Sequence, residues 1–395
     1  MTHTSAPPAL ERAQKVSDAV VRSRGLLTGY FAGLGVVMAI WGTRIPAVQA
    51  AAGLDTAGLA AVLLAAAVGM VAGLRAGGRI AEPGRLPRLL TGGGICLAAS
   101  LALLGIGGSA IALAATALLF GAAHGVLDVA VNVAAVRCQE AYGRPIMSGL
   151  HAAYSLGALG GAVLAAVCAH YSHTYVFGVT AVVVMVAAVG VAPATRCIGW
   201  PATALDPVEK GTREGRPELS RARLWLLGLL AAGCLLGEGT AADWSAVHLT
   251  GLHASAAIGA AAYAGYSAAM AAGRLVGDRL TARFGASNVV RAGAILASIG
   301  LLTGSAVASI PLALVGWAAF GLGLSVTIPV LISAAGAGGP RGIAAVTVTG
   351  YLGLLAGPAL IGALAAVTSL PVALMLPALL AAGVAGLSHR ALENK

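Results

Sequence analysis

The sequence predicts an all-α membrane protein whose twelve transmembrane helices form two six-helix bundles. Three observations support this prediction: the composition, the long apolar runs and the positions of Lys and Arg. Of the 395 residues, 58% are hydrophobic and 10% are charged, whereas a soluble domain carries about 25% charged residues. This composition excludes a soluble enzyme and also a disordered chain, because disorder requires low hydrophobicity.

A helix needs about 20 apolar residues to cross a bilayer. The sequence contains twelve apolar runs of about that length or longer. Their residues do not alternate in polarity, as the strands of a membrane β-barrel would. The first six lie at 26–45, 57–76, 88–106, 110–136, 146–169 and 174–192. The second six lie at 224–247, 255–276, 289–308, 311–335, 343–367 and 372–388.

A polar, proline-containing stretch at 193–223 separates the two sets of runs. Such a composition is typical of a linker. The sequence therefore predicts a cytoplasmic N-terminal tail at 1–25, an N-terminal bundle at 26–192, a cytoplasmic linker at 193–223, a C-terminal bundle at 224–388 and a C-terminal tail at 389–395.

The positions of Lys and Arg support twelve spans. With the N-terminus inside, all of the 24 cations except Arg44 are counted with the inner loops, the linker or the tails. Arg274, at the inner end of the eighth run, is counted with the loop that follows. This asymmetry is typical of cytoplasmic loops, so the net charge of +10 does not indicate a nucleic-acid partner. We expect a multi-pass protein of the cytoplasmic membrane with both termini cytoplasmic.

The two sets of runs resemble each other at an offset near 200 residues. Gly73-x3-Gly77-x-Arg79 matches Gly273-x3-Gly277-x-Arg279, and Phe120-Gly121 matches Phe320-Gly321. Parallel six-helix repeats are a plan used by the major facilitator transporters.

Six further segments carry a resemblance to that superfamily, and in particular to the fucose-permease-related branch of bacterial inner-membrane transporters. They are the loops Gly78–Arg85 and Gly277–Gly285 and the segments Trp41–Pro46, Leu127–Asn132, Gly143–Ser148 and Ala242–Ser245. The first loop departs from the superfamily pattern, because Glu82 is followed by Pro83 instead of arginine.

The resemblance implies the major facilitator fold, a central cavity and alternating access. It also implies that Asp128 corresponds to the cavity carboxylate that sugar–proton symporters carry in their fourth helix. Those symporters have a second carboxylate in the first helix, but Gly29 to Thr43 contains no Asp or Glu. That difference weighs against sugar–proton symport specifically.

Asp128 lies well inside the fourth run, with His124 four residues before it and Asn132 four residues after it. This spacing puts all three side chains on one face of a helix. An ionisable group in the bilayer is costly, so we expect this face to line the substrate cavity, with Asp128 as the proton acceptor. A structural hydrogen-bond cluster with a neighbouring helix is the alternative.

Glu238 is a second candidate for proton coupling, because it lies more than halfway along the seventh run. Gly237 and Gly239 flank it and permit close backbone approach. His151 is a candidate cavity residue, and a satisfied core histidine is the alternative. Trp41 is a further candidate, because its ring can stack on a sugar ring or an aromatic substrate.

Arg44 and Asp243 lie near the outer membrane face, in the first and seventh runs. An ion pair of the two side chains could close an extracellular gate, and substrate binding or protonation would offset the cost of breaking it. The alternative is that Arg44 reaches the lipid headgroups and Asp243 caps a loop.

The sequence thus predicts a proton-coupled secondary transporter of a small polar solute, such as a sugar or related metabolite, with Asp128 and Glu238 as its coupling groups. Proton-antiport efflux of a drug-like or secondary metabolite is the alternative. No nucleotide-binding, hydrolase or zinc motif is present, so we expect no enzyme activity, cofactor or metal. The expected partners are the solute, protons and membrane lipids, and the expected state is a monomer.

Overall fold

The computed structural model describes residues 8–198 and 219–392, and within these ranges the secondary structure is helical without strands. The N-terminal set is α1 (Pro8–Ala51), α2 (Thr56–Ile80), α3 (Leu86–Ile106), α4 (Ala110–Tyr142), α5 (Met147–Val167) and α6 (His173–Thr195). The C-terminal set is α7 (Arg221–Gly251), α8 (Ala256–Phe284), α9 (Ala286–Ala306), α10 (Ile310–Leu324), α11 (Thr327–Ala335), α12 (Gly339–Val367), α13 (Leu370–Ala373) and α14 (Met375–Leu392).

These helices confirm the all-α prediction. Nine predicted runs correspond to α1–α9, the tenth to α10 with α11, the eleventh to α12, and the twelfth to α13 with α14. By length and composition, the described residues contain ten stretches able to cross a membrane, one of which, Ile310–Val367, includes the tenth and eleventh runs. The eighth run is missing from this set, and α8 carries Arg274, Asp278, Arg279 and Arg283 in its second half.

Several helix ends differ from the prediction. Helix α1 begins at Pro8 instead of residue 26, because a helix can continue through polar residues that hydropathy does not count. Helix α6 continues to Thr195, and so includes the first residues of the predicted linker. Residues 199–218 of that linker, and parts of both tails (1–7 and 393–395), lie outside the described residues.

The chain divides into two compact units. Unit 1 comprises described residues 8–144 and 153–198, and unit 2 comprises 145–152 and 219–392. Many large apolar side chains are exposed along the helices of both units, for example Leu64, Val182 and Val315. Such extensive apolar exposure is expected of helices that face hydrocarbon.

Glycine contacts give the two units the same local packing. A Cβ atom at Gly121 of α4 would collide with the carbonyl oxygen of Ala66 in α2, and one at Gly321 of α10 would collide with that of Tyr266 in α8. Both members of the second pair are numbered 200 higher than those of the first. Small residues let helix backbones approach closely in membranes, so the sequence repeat is also a repeat of helix contacts.

Candidate functional site

In unit 1, a polar face runs along the buried part of α4. His124 and Asn132 are 3% and 2% exposed. The Asn132 amide donates to the Asp128 carbonyl oxygen at 2.9 Å and lies 3.4 Å from the carboxylate Oδ1. The structure thus brings Asp128 and Asn132 together, and His124 lies one turn away on the same face.

Two oxygen atoms of this face are buried without a hydrogen-bond partner in the part of the chain that the structure describes: Asp128 Oδ2 and Asn132 Oδ1. Most buried polar atoms in proteins are satisfied, because leaving one unpaired costs the full desolvation penalty. An exception therefore calls for an explanation. One explanation is that the group binds a proton or a solute in another step of a transport cycle.

Glycines in α4 and α2 fix the orientation of this polar face. Gly121 and Gly125 of α4 approach the backbone of α2 so closely that a Cβ atom would collide with Ala66 or Met70. Since α4 cannot rotate against α2 without opening this contact, the adjacent face that carries Asp128 is held in register.

In unit 2, Glu238 of α7 forms an ion pair with Arg274 of α8. The distance from Arg274 Nη2 to Glu238 Oε1 is 3.4 Å, and the side chains are 9% and 22% exposed, respectively. Arg274 Nε also donates to the Ser325 carbonyl oxygen at 3.4 Å. A guanidinium this deeply placed in a membrane helix is expensive unless it is paired, and Glu238 supplies the counter-charge.

The position of Glu238 follows from the glycines on either side of it. A Cβ atom at Gly237 would lie 2.7 Å from the Phe320 ring of α10, and one at Gly239 would lie 2.6 Å from the Leu354 carbonyl oxygen of α12. These two contacts pack α7 against α10 and α12, while the side chain of Glu238 extends to α8.

A proline explains the second contact of Arg274. Pro329 lies in the first turn of α11, just after the break that separates α10 from α11 at Ser325 and Val326. A proline has no N–H to donate to the carbonyl four residues earlier, which here is that of Ser325. The Arg274 guanidinium donates to this carbonyl instead.

Arg274 is the residue that the sequence analysis missed. Its assignment to a cytoplasmic loop is wrong, because α8 continues to Phe284 and the Arg274 side chain is buried and paired with Glu238. The available signal was its distance from the loop: it lies one turn before Asp278 and Arg279, so it belongs inside the helix.

His151 lies in the first turns of α5 that belong to unit 2. Its Nδ1 is 2.9 Å from the Met147 carbonyl oxygen, and the charge of Arg274 acts on its ring. The structure therefore places His151 near the ion pair of unit 2, whereas its predicted role in a cavity stays a prediction.

Trp41 lies in an aromatic cluster of unit 1. Its side chain is 5% exposed, and its ring centroid is 5.7 Å from that of Phe120 and 6.1 Å from that of Phe177. In this structure the indole packs in the core of unit 1, and contact with a solute stays a prediction.

Arg44 binds the C-terminal end of α5. Its guanidinium donates to the carbonyl oxygens of Ala165, Cys168 and Ala169, and the residue is 8% exposed. The last carbonyls of a helix lack partners within the helix and attract cations. Asp243 is exposed on α7, and its predicted gate pairing with Arg44 stays a prediction.

Buried charges in long apolar helices, arranged as two repeated units, define a class of protein: multi-pass membrane transporters.

No protein-family model matches the chain, but individual proteins are similar to it over most of its length. An MFS-type transporter of Yersinia pestis whose function is uncharacterised is 34% identical over 91% of this chain and 92% of its own length. An uncharacterised transporter of Sinorhizobium fredii is 32% identical, over 92% and 97%.

Solved structures show the same fold. FucP, a major facilitator transporter solved in an outward conformation, superposes with a TM-score of 0.75 at 17% identity, over 95% of this chain and all of FucP. The proton:xylose symporter XylE superposes with a TM-score of 0.71 at 12% identity, over 95% and 96%. The chain belongs to the major facilitator superfamily, and the twelve-helix fold class is confirmed.

Proposed function

We propose that this protein is a proton-coupled secondary transporter of a small polar solute, that it acts in the cytoplasmic membrane, and that both of its termini are cytoplasmic. The observation that carries the proposal is the carboxyl group of Asp128, which lies inside α4 with one oxygen buried and unpartnered among the described residues. A carboxyl group without a cation can take up and release a proton without first breaking an ion pair.

The other residues of the α4 face have roles that fit this proposal. Asn132 donates to Asp128 and retains a buried amide oxygen that has no partner in the described ranges, so it can accept a hydrogen bond from a hydroxyl group of the solute. His124 adds a buried imidazole one turn away. Polar groups of this kind recognise sugars and related metabolites by hydrogen bonding.

The names of the structural relatives point in the same direction. FucP is described as a fucose:proton symporter and XylE as a proton:xylose symporter. Symport of a sugar or related metabolite is therefore the direction of coupling that we propose. The expected partners are the solute, protons and lipids, with the protein acting as a monomer.

Reconstituted vesicles with an imposed pH gradient test the direction of coupling. In symport the solute moves with the protons, so it accumulates on the proton-poor side. Accumulation on the proton-rich side would contradict symport and identify a proton antiporter, and the absence of any carboxylate from Gly29 to Thr43 is the observation that favours this second candidate. Collapse of the gradient with a protonophore is the control, since it must abolish accumulation in either case.

A further inference from the structure

At the predicted cytoplasmic end of unit 1, two arginine side chains converge on one tyrosine. Nη1 of Arg24, on α1, donates to the hydroxyl oxygen of Tyr142 at 2.9 Å, and Nη2 of Arg144 donates to the same oxygen at 2.7 Å. The two guanidinium carbons lie 5.1 and 4.7 Å from the centre of the Tyr142 ring. A single tyrosine side chain thus holds two cations beside each other.

A glycine at the end of α4 brings Arg144 to this ring. Gly143 has a φ angle of 70°, in the left-handed region, and its N–H donates to the Gln139 carbonyl oxygen. Glycine adopts this conformation without steric cost and commonly ends helices in this way. The chain changes direction there, so the Arg144 side chain returns to the last residue of α4, where Arg24 meets it from α1.

The local charge balance around the two arginines is positive. The ends of α4 and α6 meet one turn of α1, where Cys138 donates to the Val20 carbonyl oxygen and Ser23 donates to the Cys197 sulfur. Residues 18–24, 137–144 and 195–198, which form this region, contain five cations and two acids: Arg22, Arg24, Arg137, Arg144, Arg196, Asp18 and Glu140.

Neither acid neutralises the pair of cations on Tyr142. In the described ranges, the side chains of Arg24 and Arg144 have no carboxylate within the 4.0 Å of an ion pair. Two positive charges that share one hydroxyl oxygen repel each other. A bound anion would relieve this repulsion, so the cluster favours an anionic ligand.

The atoms that the cluster offers to a ligand are hydrogen-bond donors. Both guanidinium groups donate to the Tyr142 oxygen, so the hydroxyl hydrogen remains available to a third group, and arginine has no acceptor atom. Arg144 is exposed, and Arg24 and Tyr142 are half-buried. Several N–H groups and one O–H without an acceptor are suited to phosphate oxygens, which arginine binds in a bidentate manner.

The position of the cluster along the helices corresponds to the lipid headgroups. Arg24 precedes the first apolar run, 26–45, and Tyr142 follows the fourth, 110–136, by about 3 Å and about 9 Å along a helix. The headgroup layer is about 5–8 Å thick on each side of the hydrocarbon. Val21, one turn before Arg24, is 57% exposed. An apolar surface beside the cations suits a lipid better than a free phosphate ion.

We propose that Arg24, Arg144 and the Tyr142 hydroxyl group bind the phosphate group of an anionic phospholipid, which thereby links α1 to the end of α4. The choice of the cytoplasmic leaflet rests on the proposed orientation, whereas the site itself depends neither on the orientation nor on the transported solute.

Phosphatidylglycerol and phosphatidylcholine with the same acyl chains test this site, because both contain a phosphate but only the first has a net negative charge. The purified full-length protein is unfolded thermally in detergent micelles that contain one lipid or the other. We expect phosphatidylglycerol to give the wild type a midpoint about 2–4 °C higher than phosphatidylcholine does. Arg24→Gln/Arg144→Gln should lose most of this difference.

Two further variants separate the site from net charge. Arg79→Gln/Arg88→Gln is the matched control, because it removes two exposed cations of unit 1 and should keep the full response. Tyr142→Phe retains both arginines but lacks the hydroxyl group, so half of the response should require about fivefold more phosphatidylglycerol. Equal losses in the two double variants would overturn the inference, and so would an unchanged requirement in Tyr142→Phe.

The charge-retaining variant Arg24→Lys/Arg144→Lys guards against misfolding of the glutamine variant. Lysine keeps the charge but not the planar fork of donors, so we expect part of the response to remain. Each variant is also compared with itself in phosphatidylcholine, so a general loss of stability does not alter the comparison. A complete loss in the lysine variant, with a normal midpoint in phosphatidylcholine, would contradict a charge-based site.

Other occupants of the site would give different results. An equal midpoint shift from millimolar inorganic phosphate in phosphatidylcholine micelles would overturn the assignment to a lipid. A response to phosphatidylglycerol that appears only after the linker acids are neutralised would assign the site to the linker; these acids are Asp206, Glu209, Glu214 and Glu218. None of these measurements involves transport, so their failure would leave the proposed function intact.

Discussion

Each unit places a carboxyl group inside its helices, but the two groups have different surroundings. In unit 1, Asp128 has Asn132 as its neighbour and one oxygen without a partner in the part of the chain that the structure describes. In unit 2, Glu238 has the guanidinium of Arg274. The units share the glycine contacts that pack their helices, so the difference lies in the chemistry that the same architecture carries. Protonation of Asp128 changes that group alone, whereas protonation of Glu238 also removes a counter-charge from Arg274.

Neutralising the two carboxyl groups should have different effects on stability. We expect Glu238→Gln to lower the free energy of unfolding by about 2–3 kcal/mol, since it removes the counter-charge that Glu238 supplies to the buried Arg274. Asp128→Asn should leave this free energy unchanged or raise it, because it removes a carboxyl group that has no cation partner among the residues that the structure describes. Thermal unfolding of both purified variants measures the difference, and an equal loss in the two would remove the distinction between the units.

Reversing which partner is removed sharpens the same comparison. Arg274→Gln leaves Glu238 without its cation, but glutamate can become neutral by binding a proton. Arginine cannot become neutral, because it does not lose its proton in a protein. At acidic pH we therefore expect Arg274→Gln to be less destabilising than Glu238→Gln, by about 1 kcal/mol or more. The double variant Glu238→Gln/Arg274→Gln should recover much of the stability lost in Glu238→Gln. A double variant that loses the sum of the two single effects would contradict the pair.

The shared packing predicts equal responses in the two units. Gly121→Ala and Gly321→Ala each place a methyl group against a backbone carbonyl, so each should cost about 1–3 kcal/mol. Gly160→Ala and Gly265→Ala are the matched controls within unit 1 and unit 2, because nothing lies within 4 Å of a Cβ atom at either position. We expect the controls to be neutral or slightly stabilising. A response in one unit only would show that the repeat does not extend to helix contacts.

Arg44 should contribute a smaller, purely structural effect to unit 1. Arg44→Gln removes a cation from the carbonyl oxygens at the end of α5, and we expect a loss of about 1–2 kcal/mol. Arg85→Gln is the control, because Arg85 is 58% exposed and pairs with an exposed Glu82. Equal thermal midpoints for the two variants would contradict the role of Arg44 as a helix cap.

The fold could be predicted from the sequence because hydropathy records directly which residues face hydrocarbon. The helix ends could not be predicted in the same way, since the first turns of α1 are polar and yet helical. The polar face of α4 was also predictable, because the spacing of His124, Asp128 and Asn132 lies within one helix.

The contacts of Arg274 and Arg44 required the structure. The pairing of Arg274 with Glu238 joins two helices, and the carbonyl that Arg274 contacts is released by Pro329 on a third. The partners of Arg44 are backbone carbonyl oxygens, which no pattern of side chains encodes. A cation near a predicted helix end is therefore assigned to a loop by default, and Arg274 shows how that rule fails.

Asp128→Asn in reconstituted vesicles tests the central claim most directly, with Glu82→Gln as a matched control because Glu82 is an exposed carboxylate. Once a solute has been identified, uphill accumulation driven by a pH gradient and exchange of labelled for unlabelled solute are measured in the same preparation. The account predicts that Asp128→Asn loses accumulation but retains exchange, while Glu82→Gln retains both. Accumulation at the wild-type level in Asp128→Asn would contradict it.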